Sequence, residues 1–343
     1  MIPERMRAVR MHAYGGPEVL QVDDVPTPTA GKGQVLVEIH ASSVNPVDWK
    51  IRSGGQRGLV RYRLPRTLGL DVSGVVVAVG PGVTRFQVGD AVYGSPNHTE
   101  DGCYAEYAAL PEAQLAAKPA QLTHLEAAAL PLVGLTAWEA LVRKADLQPG
   151  ERALIHAGAG GVGHVAIQIA KARGAEVITT CSAANAELVR SLGADRVVDY
   201  RAERFYEVLS DLDVVLEGVG GPVRDQSLAV LRRGGRMPSI VGGFPAYTKR
   251  LGPVLGPPAA LVDIAAFMVK ARLTKGVKVY QVMRPPRGDL LEALSALVEA
   301  GALRPRIDRV FPLEDVAEAH RYSETGRARG KIVIAVRASD QPQ

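Results

Sequence analysis

Hydrophobic and polar residues alternate in two distinct rhythms along this chain. Up to about residue 122 the runs are short and broken by turns. Gln34-Val35-Leu36-Val37-Glu38-Ile39 alternates with the period of two that turns one face of a strand toward a core. Val75-Val76-Val77-Ala78-Val79 is an apolar run closed by the turn Gly80-Pro81-Gly82, and Val88-Gly89-Asp90-Ala91-Val92-Tyr93 is a turn followed by a strand. A β-rich domain is expected over residues 1–124. From there on strands and helices take turns. Residues 153–156 read as an apolar strand and 162–173 as a helix; 176–180 and 184–192 repeat the pair; 196–198, 213–216 and 235–241 supply further strands. This order implies right-handed βαβ units and a doubly wound parallel sheet over residues 125–284. Residues 277–283 read as its last strand, an edge open to pairing with a second subunit. Over residues 285–343 a helix (290–299) and two strands (309–313, 331–334) return to complete the first domain. Residues 52–64 and 243–258 read as loops.

Composition narrows the function classes. A chain of 343 residues with 47% apolar content has room for two cores. The net charge of +5 comes without a basic run or aromatic–basic interleaving, so no nucleic-acid partner is expected. The only cysteines are Cys103 and Cys181, too few for a disulfide framework and in keeping with a reducing cytoplasm. Residues 1–10 show no apolar signal core. The longest apolar stretch, residues 257–270, contains Asp263, is too short to span a bilayer and reads as a packed helix, so no membrane partner is expected.

The clearest chemistry lies in Ala157-Gly158-Ala159-Gly160-Gly161-Val162-Gly163, between an apolar strand and an apolar helix. Glycines there permit a tight turn and let backbone N–H groups approach a pyrophosphate, while the helix N-terminus adds its dipole and unpaired donors. A dinucleotide held by Gly158, Gly160, Gly161, Val162 and Gly163 is therefore expected. Sites for NAD carry an acidic residue at the end of the second strand for the ribose 2′-OH. Here that strand runs out in Thr179-Thr180-Cys181-Ser182, without a carboxylate, which favours NADPH. Ser182 and Asn185 are candidates to hydrogen-bond the 2′-phosphate, joined by Tyr200 and Arg201 after the third strand; a solvated surface charge is an equal reading of Arg201.

These features resemble the medium-chain dehydrogenase/reductase superfamily and, within it, the zinc-free NADPH:quinone oxidoreductase and enone reductase branch. The matching segments are Gly15-Gly16-Pro17-Glu18-Val19-Leu20, Val44-Asn45-Pro46-Val47-Asp48, Gly69-Leu70-Asp71-Val72-Ser73-Gly74, Phe86-Gln87-Val88-Gly89-Asp90-Ala91-Val92-Tyr93, Gly102-Cys103-Tyr104-Ala105-Glu106-Tyr107, Leu130-Pro131-Leu132-Val133-Gly134-Leu135-Thr136-Ala137 and the glycine run. The resemblance implies an α/β protein in which a GroES-like catalytic domain is interrupted by a Rossmann domain, with the cofactor in the cleft between them, and a homodimer. Zinc-dependent members carry a catalytic Cys near Asn45-Pro46-Val47-Asp48 and a His-Glu pair where this chain has Leu70-Asp71. Those positions offer no soft or imidazole ligand, the four-cysteine structural lobe is missing, and no metal is expected.

Hydride transfer from NADPH to a quinone or an α,β-unsaturated carbonyl compound is the expected reaction. Such an acceptor spreads charge onto an oxygen remote from the attacked carbon, where hydrogen-bond donors stabilise it, whereas a plain carbonyl needs a Lewis acid. The resemblance puts Asn45 beside the nicotinamide, with Asp48 and Lys50 in the same loop as further catalytic candidates. Many bacterial quinone reductases carry Tyr where this chain has Lys50, and enone-reducing relatives more often carry Lys; a solvated lysine is an equal reading. Tyr93 and Tyr104 are additional candidate donors, with core roles as the alternative. By the same resemblance Thr136 touches the cofactor, Val241 and Gly242 flank the nicotinamide, and Arg329 and Lys331 reach the cofactor from a turn that otherwise reads as plain surface. Two rival functions stay open: a zinc-type alcohol dehydrogenase acting on simple carbonyls, and a non-catalytic NADPH-binding protein.

Overall fold

Short apolar runs and turns give the first part of the chain eight strands: β1 (Arg5–Met11), β2 (Leu20–Pro26), β3 (Gln34–Val44), β4 (Arg66–Thr67), β5 (Val72–Val79), β6 (Ala91–Gly94), β7 (Tyr107–Pro111) and β8 (Leu115–Ala117). Among them lies helix α1 (Pro46–Arg52), and α2 (His124–Ala128) and α3 (Pro131–Trp138) follow. The structure, a computed structural model, describes residues 1–57, 60 and 62–337. The alternating region then contributes β9 (Arg152–Ile155), α4 (Gly161–Ala172), β10 (Glu176–Cys181), α5 (Ala186–Ser191), β11 (Arg196–Asp199), α6 (Phe205–Val208), β12 (Leu212–Leu216), α7 (Pro222–Val230), β13 (Leu231–Ser239), α8 (Phe244–Lys275) and β14 (Lys278–Gln281). The chain returns through α9 (Gly288–Glu299), β15 (Ile307–Pro312), α10 (Val316–Glu324) and β16 (Lys331–Ala335).

Two units result, Met1–Leu135 with the segment from Pro285 onward, and Thr136–Arg284. In the first, a sheet of order β15-β16-β3-β5-β6-β8, with β7 also paired to β3, stands beside a smaller sheet β2-β1-β4. The returning β16 sits in the interior of the large sheet, antiparallel to β3 with Ile332 opposite Val44 and Ala335 opposite Ala41. The change of rhythm near residue 123 is therefore not the edge of the unit. Helix α2 follows it and stays with the first unit, where Ala128 and Ala129 pack on Ala41 and Val333.

The second unit is a parallel sheet of order β11-β10-β9-β12-β13-β14. Expressed by position along the unit this is 3-2-1-4-5-6, the order whose reversal beside the first strand creates a ligand crevice. The strand foreseen at residues 277–283 is β14, and it stands at the sheet edge. Leu154, Ile178, Val215, Met237 and Phe267 form the core beneath it.

Helix α8 departs most from the sequence reading. Residues 243–258, read as loop, mostly belong to it; Pro253, Pro257 and Pro258 lie inside it, and only Gly252, with φ +79°, leaves helical geometry. It is not a packed helix either. Its buried residues are Gly256, Pro257, Ala260, Phe267 and Ala271, while Val262 and Leu273 are 68% and 79% exposed. At 32 residues α8 is long and apolar enough to cross a membrane by length and composition. It is nevertheless stitched to its own unit, because Arg224 grips Asp263 with two hydrogen bonds of 2.7 and 3.1 Å and Phe267 joins the core. Of the other stretch read as loop, residues 52–64, Arg52 ends α1, and Gly58, Leu59 and Arg61 lie outside the described residues.

Candidate active site

The glycine run forms the turn from β9 into α4. Ala157 takes φ +53°, and Gly158 donates its N–H to Thr180 O at 3.0 Å. A Cβ on Gly158 would lie 2.0 Å from Thr179 Oγ1, and one on Gly163 would lie 2.2 Å from Ala157 O. Both glycines are demanded by the packing of the turn itself. Gly160 is different: its φ of −83° and ψ of −179° suit any residue, and its Cβ would stand 3.2 Å from Ala157 O. The bare backbone there thus keeps open a surface at the head of the helix. The N–H groups of Gly161, Val162 and Gly163 precede the first helical donor, His164, which bonds Gly160 O at 3.1 Å. They are free by helix geometry to bind an anion, and twelve residues of aligned dipole lie behind them.

At the ends of the neighbouring strands the structure gathers the proposed 2′-phosphate groups. Tyr200 donates its N–H to Cys181 O at 3.2 Å, which brings the turn after β11 against the end of β10. Asn185 Nδ2 reaches Ser182 Oγ at 3.4 Å, and Asn185 Oδ1 is buried without a hydrogen-bond partner among the described residues. Tyr200 is exposed, and the Arg201 guanidinium lies 5.8 Å from its ring centroid. Val241 and Gly242 follow β13. A residue that sequence reasoning missed shapes this end of the sheet: Glu217, fully buried, accepts N–H bonds from Val219 and Gly220 at 2.7 and 2.5 Å and the Ser239 hydroxyl at 2.9 Å. Its only sequence signal is a carboxylate closing an apolar strand. Thr136 lies nearly buried in α3.

The first unit holds a buried polar cluster. Asn45 caps α1, Pro46 occupies the first turn with its preset φ, and the Asp48 side chain accepts the Asn45 N–H at 2.7 Å. The Asn45 side chain is committed elsewhere, donating to Asp71 Oδ2 at 2.8 Å and accepting from Lys331 Nζ at 2.5 Å. Asp71 also accepts the Ser43 hydroxyl at 2.5 Å, the Leu132 N–H at 2.7 Å and Lys331 Nζ at 3.2 Å. Asn45, Asp48 and Asp71 are wholly buried and Lys331 is 2% exposed. Burial pushes the Asp48 carboxyl up to about 7, opposed by the Asn45 N–H and helped by the Asp71 charge.

Three expectations change here. Asp48 and Lys50 do not sit in a loop but on α1, whose start is fixed by Asn45-Pro46. Lys50 is half-buried beside Trp49, and burial lowers its pKa. Lys331 does not belong to a surface turn: its ammonium points into the unit and neutralises Asp71, while Arg329 stays at the surface. Tyr93 takes the core role, its hydroxyl bonding Leu291 O at 2.7 Å and Ser295 Oγ at 2.9 Å. Tyr104 instead joins the cluster, donating to Asp48 Oδ2 at 3.2 Å, and behind it stand His320 and Arg52, which the sequence reading did not single out.

Among the described residues no three His, Cys, Asp or Glu side chains gather as metal ligands. Residues 192–334 match the family described as zinc-binding dehydrogenase, and residues 31–120 match the alcohol dehydrogenase GroES-like domain. The mitochondrial NAD(P)H oxidoreductase RTN4IP1 of Mus musculus is 38% identical over 324 residues, covering 88% of this chain and 82% of that protein. The chloroplastic NADPH-dependent alkenal/one oxidoreductase of Arabidopsis thaliana is 34% identical over 344 residues, 97% of this chain and 80% of that one. The solved quinone oxidoreductase of Coxiella burnetii superposes with a TM-score of 0.84 at 35% identity, covering 97% of this chain and all of that one.

Proposed function

Because the chain belongs to the medium-chain dehydrogenase/reductase superfamily, in its quinone and enone oxidoreductase branch, we propose that it uses NADPH, without zinc, to reduce a quinone or an α,β-unsaturated carbonyl compound. The observation that carries the zinc-free part is the donor set around Asp71, the residue standing where zinc members present a ligand. Its carboxylate already accepts from Ser43, Asn45, Leu132 and Lys331, and the lysine supplies the positive charge. With no Lewis acid, the acceptor must be one whose reduction spreads charge onto an oxygen that hydrogen-bond donors stabilise.

NADPH, when bound, supplies the hydride. Gly158, Gly160, Gly161, Val162 and Gly163 would hold its pyrophosphate at the start of α4. Ser182, Asn185, Tyr200 and Arg201 would take the 2′-phosphate with their hydroxyl, amide N–H and guanidinium donors, a reading supported by a β10 that ends without a carboxylate. Thr136, Val241, Gly242 and Arg329 are proposed contacts toward the nicotinamide half. Asn45 acts as a fixed wall, its amide orientation set by Lys331 and Asp71. Asp48, with a carboxyl pushed up to about 7, and Lys50 are the proposed proton-bearing groups.

A homodimer is supported by the open edge of β14 and the exposed apolar residues of α8 and Met283 in the same unit. A cytoplasmic location is supported by two buried, unpaired cysteines. The test is NADPH and NADH oxidation with purified, metal-analysed protein over quinones, enals, enones and simple ketones. Turnover of conjugated acceptors with NADPH and no bound zinc is expected. Activity confined to simple ketones, or lost on chelation, overturns the reading.

A further inference from the structure

Behind Asp48 runs a chain of buried hydrogen bonds whose direction can be worked out. Arg52 has only donors, so its Nη1, 3.1 Å from His320 Nδ1, obliges that nitrogen to accept. His320 is fully buried, and burial with the Arg52 charge pushes it down to about 3, so the ring is neutral. Its proton therefore sits on Nε2, which donates to the Tyr104 hydroxyl oxygen at 3.3 Å. The Tyr104 hydroxyl is then left to donate to Asp48 Oδ2 at 3.2 Å. Asp48 Oδ2 also accepts the Asn45 N–H at 2.7 Å, so both its lone-pair directions are taken. Asp48 Oδ1 is buried and, among the described residues, has no partner. Arg52 is itself held by Glu324, on α10, and by Gly15 O at 3.2 Å.

We propose that Arg52, His320 and Tyr104 are positioning residues that confine the exchangeable proton of Asp48 to Oδ1, the oxygen from which the reduced acceptor would draw it. The use of that proton rests on the function proposed above; its location does not. In the transfer the Oδ1–H bond breaks, an O–H or C–H bond forms on the acceptor anion left by hydride addition, and the carboxylate regains a proton from water. The charged and titratable groups around Asp48 are Asp71 before β5, Lys331 on β16, Cys103 and Tyr104 before β7, His320 on α10, and Lys50 and Arg52 on its own helix. Burial raises Asp48, and the Tyr104 hydrogen bond pulls it back. Removing the hydroxyl therefore moves its titration upward.

The test is an infrared titration of the buried protonated carboxyl in the full chain, read as the difference from Asp48→Asn, together with the pH profile of kcat/KM. In the wild type the band is lost with a midpoint near pH 7, and activity falls with it. Tyr104→Phe shifts the midpoint and the alkaline limb upward by about one pH unit, the worth of one hydrogen bond to a carboxylate. His320→Gln accepts from Arg52 and donates to Tyr104 as the histidine does, and keeps the wild-type midpoint. His320→Leu moves it, and this variant decides the matter if Tyr104→Phe does not fold. A midpoint unmoved in both Tyr104→Phe and His320→Leu overturns the proposal. A moved midpoint in a protein that reduces no acceptor leaves the positioning role standing and overturns the functional reading instead.

Discussion

Replacing Lys331 by Met should destabilise the first unit strongly, because it takes the cation out of a buried ion pair. The methionine keeps most of the side-chain volume, so no large cavity forms. What is lost is the cation 3.2 Å from Asp71 Oδ2, in a site where the two side chains are 2% and 0% exposed. The bonds from Nζ to Asn45 Oδ1 at 2.5 Å and Val44 O at 3.2 Å go with it. Breaking a buried pair from one side costs about 3–5 kcal/mol, most of it the penalty of an uncompensated charge rather than the worth of the pair. Adding Asp71→Asn removes that charge and leaves an amide for the Leu132 N–H and Ser43 hydroxyl, so the double variant should regain about half of the loss. The chain has two tryptophans, one in each unit, and a Trp138→Phe background lets Trp49 report on the first unit alone. Trp49 sits on α1 and bonds Ser323 at 3.2 Å, so it senses the packing at issue. Urea unfolding followed by its fluorescence gives the three stabilities. A single variant that loses less than about 1 kcal/mol, or a double variant no better than the single, refutes the account of a charge held only by Lys331.

Gly163→Val should raise the dissociation constant for NADPH by well over about tenfold in a fluorescence titration, because its Cβ would meet Ala157 O at 2.2 Å and spoil the turn; unchanged affinity would remove the cradle from the site. Asp48 binds its proton more tightly folded, at about 7 against 3.8, so wild-type stability should fall as pH rises from about 4 to 7, by at most about 4 kcal/mol from this group, and level off above. In Asp48→Asn that fall should disappear, and parallel pH–stability curves for the two proteins would count against the buried carboxyl. Val262→Glu with Met283→Glu, at positions 68% and 72% exposed, should convert the proposed dimer to monomer in sedimentation velocity while leaving NADPH affinity intact; an unchanged mass, dimeric or monomeric in both, places no interface there.

The parallel sheet was legible because β9, β10, β11 and β12 are runs of four to six residues with apolar centres set between helices, and the glycine run joins β9 to α4. Helix α8 was not, because Gly252 and three prolines read locally as loop, while its hold on Arg224 and the core is tertiary. Lys331 illustrates the same limit at the site. A lysine beside Gly330 reads as surface, and its partner Asp71 is 260 residues away. Tyr104 and His320, 216 residues apart, meet only once α10 packs on the sheet. Asn45 and Asp48 could be singled out from a four-residue motif, but the hydrogen bonds that define their state come from residues scattered over the whole chain.

The interior place of β16 bears on how this protein is made. Strand β3 and Asp71 leave the ribosome early, while the cation that completes Asp71 comes 260 residues after it, on the strand that completes β3. At ordinary rates of synthesis that is a wait of roughly 10–50 s. The second unit is contiguous in the chain and can fold during this time. Through the same interval the Ala41–Val44 edge of β3 has no mate and Asp71 no counter-ion. Nascent chains should therefore be most prone to mispairing and chaperone capture after the parallel sheet is finished but before the last strand arrives.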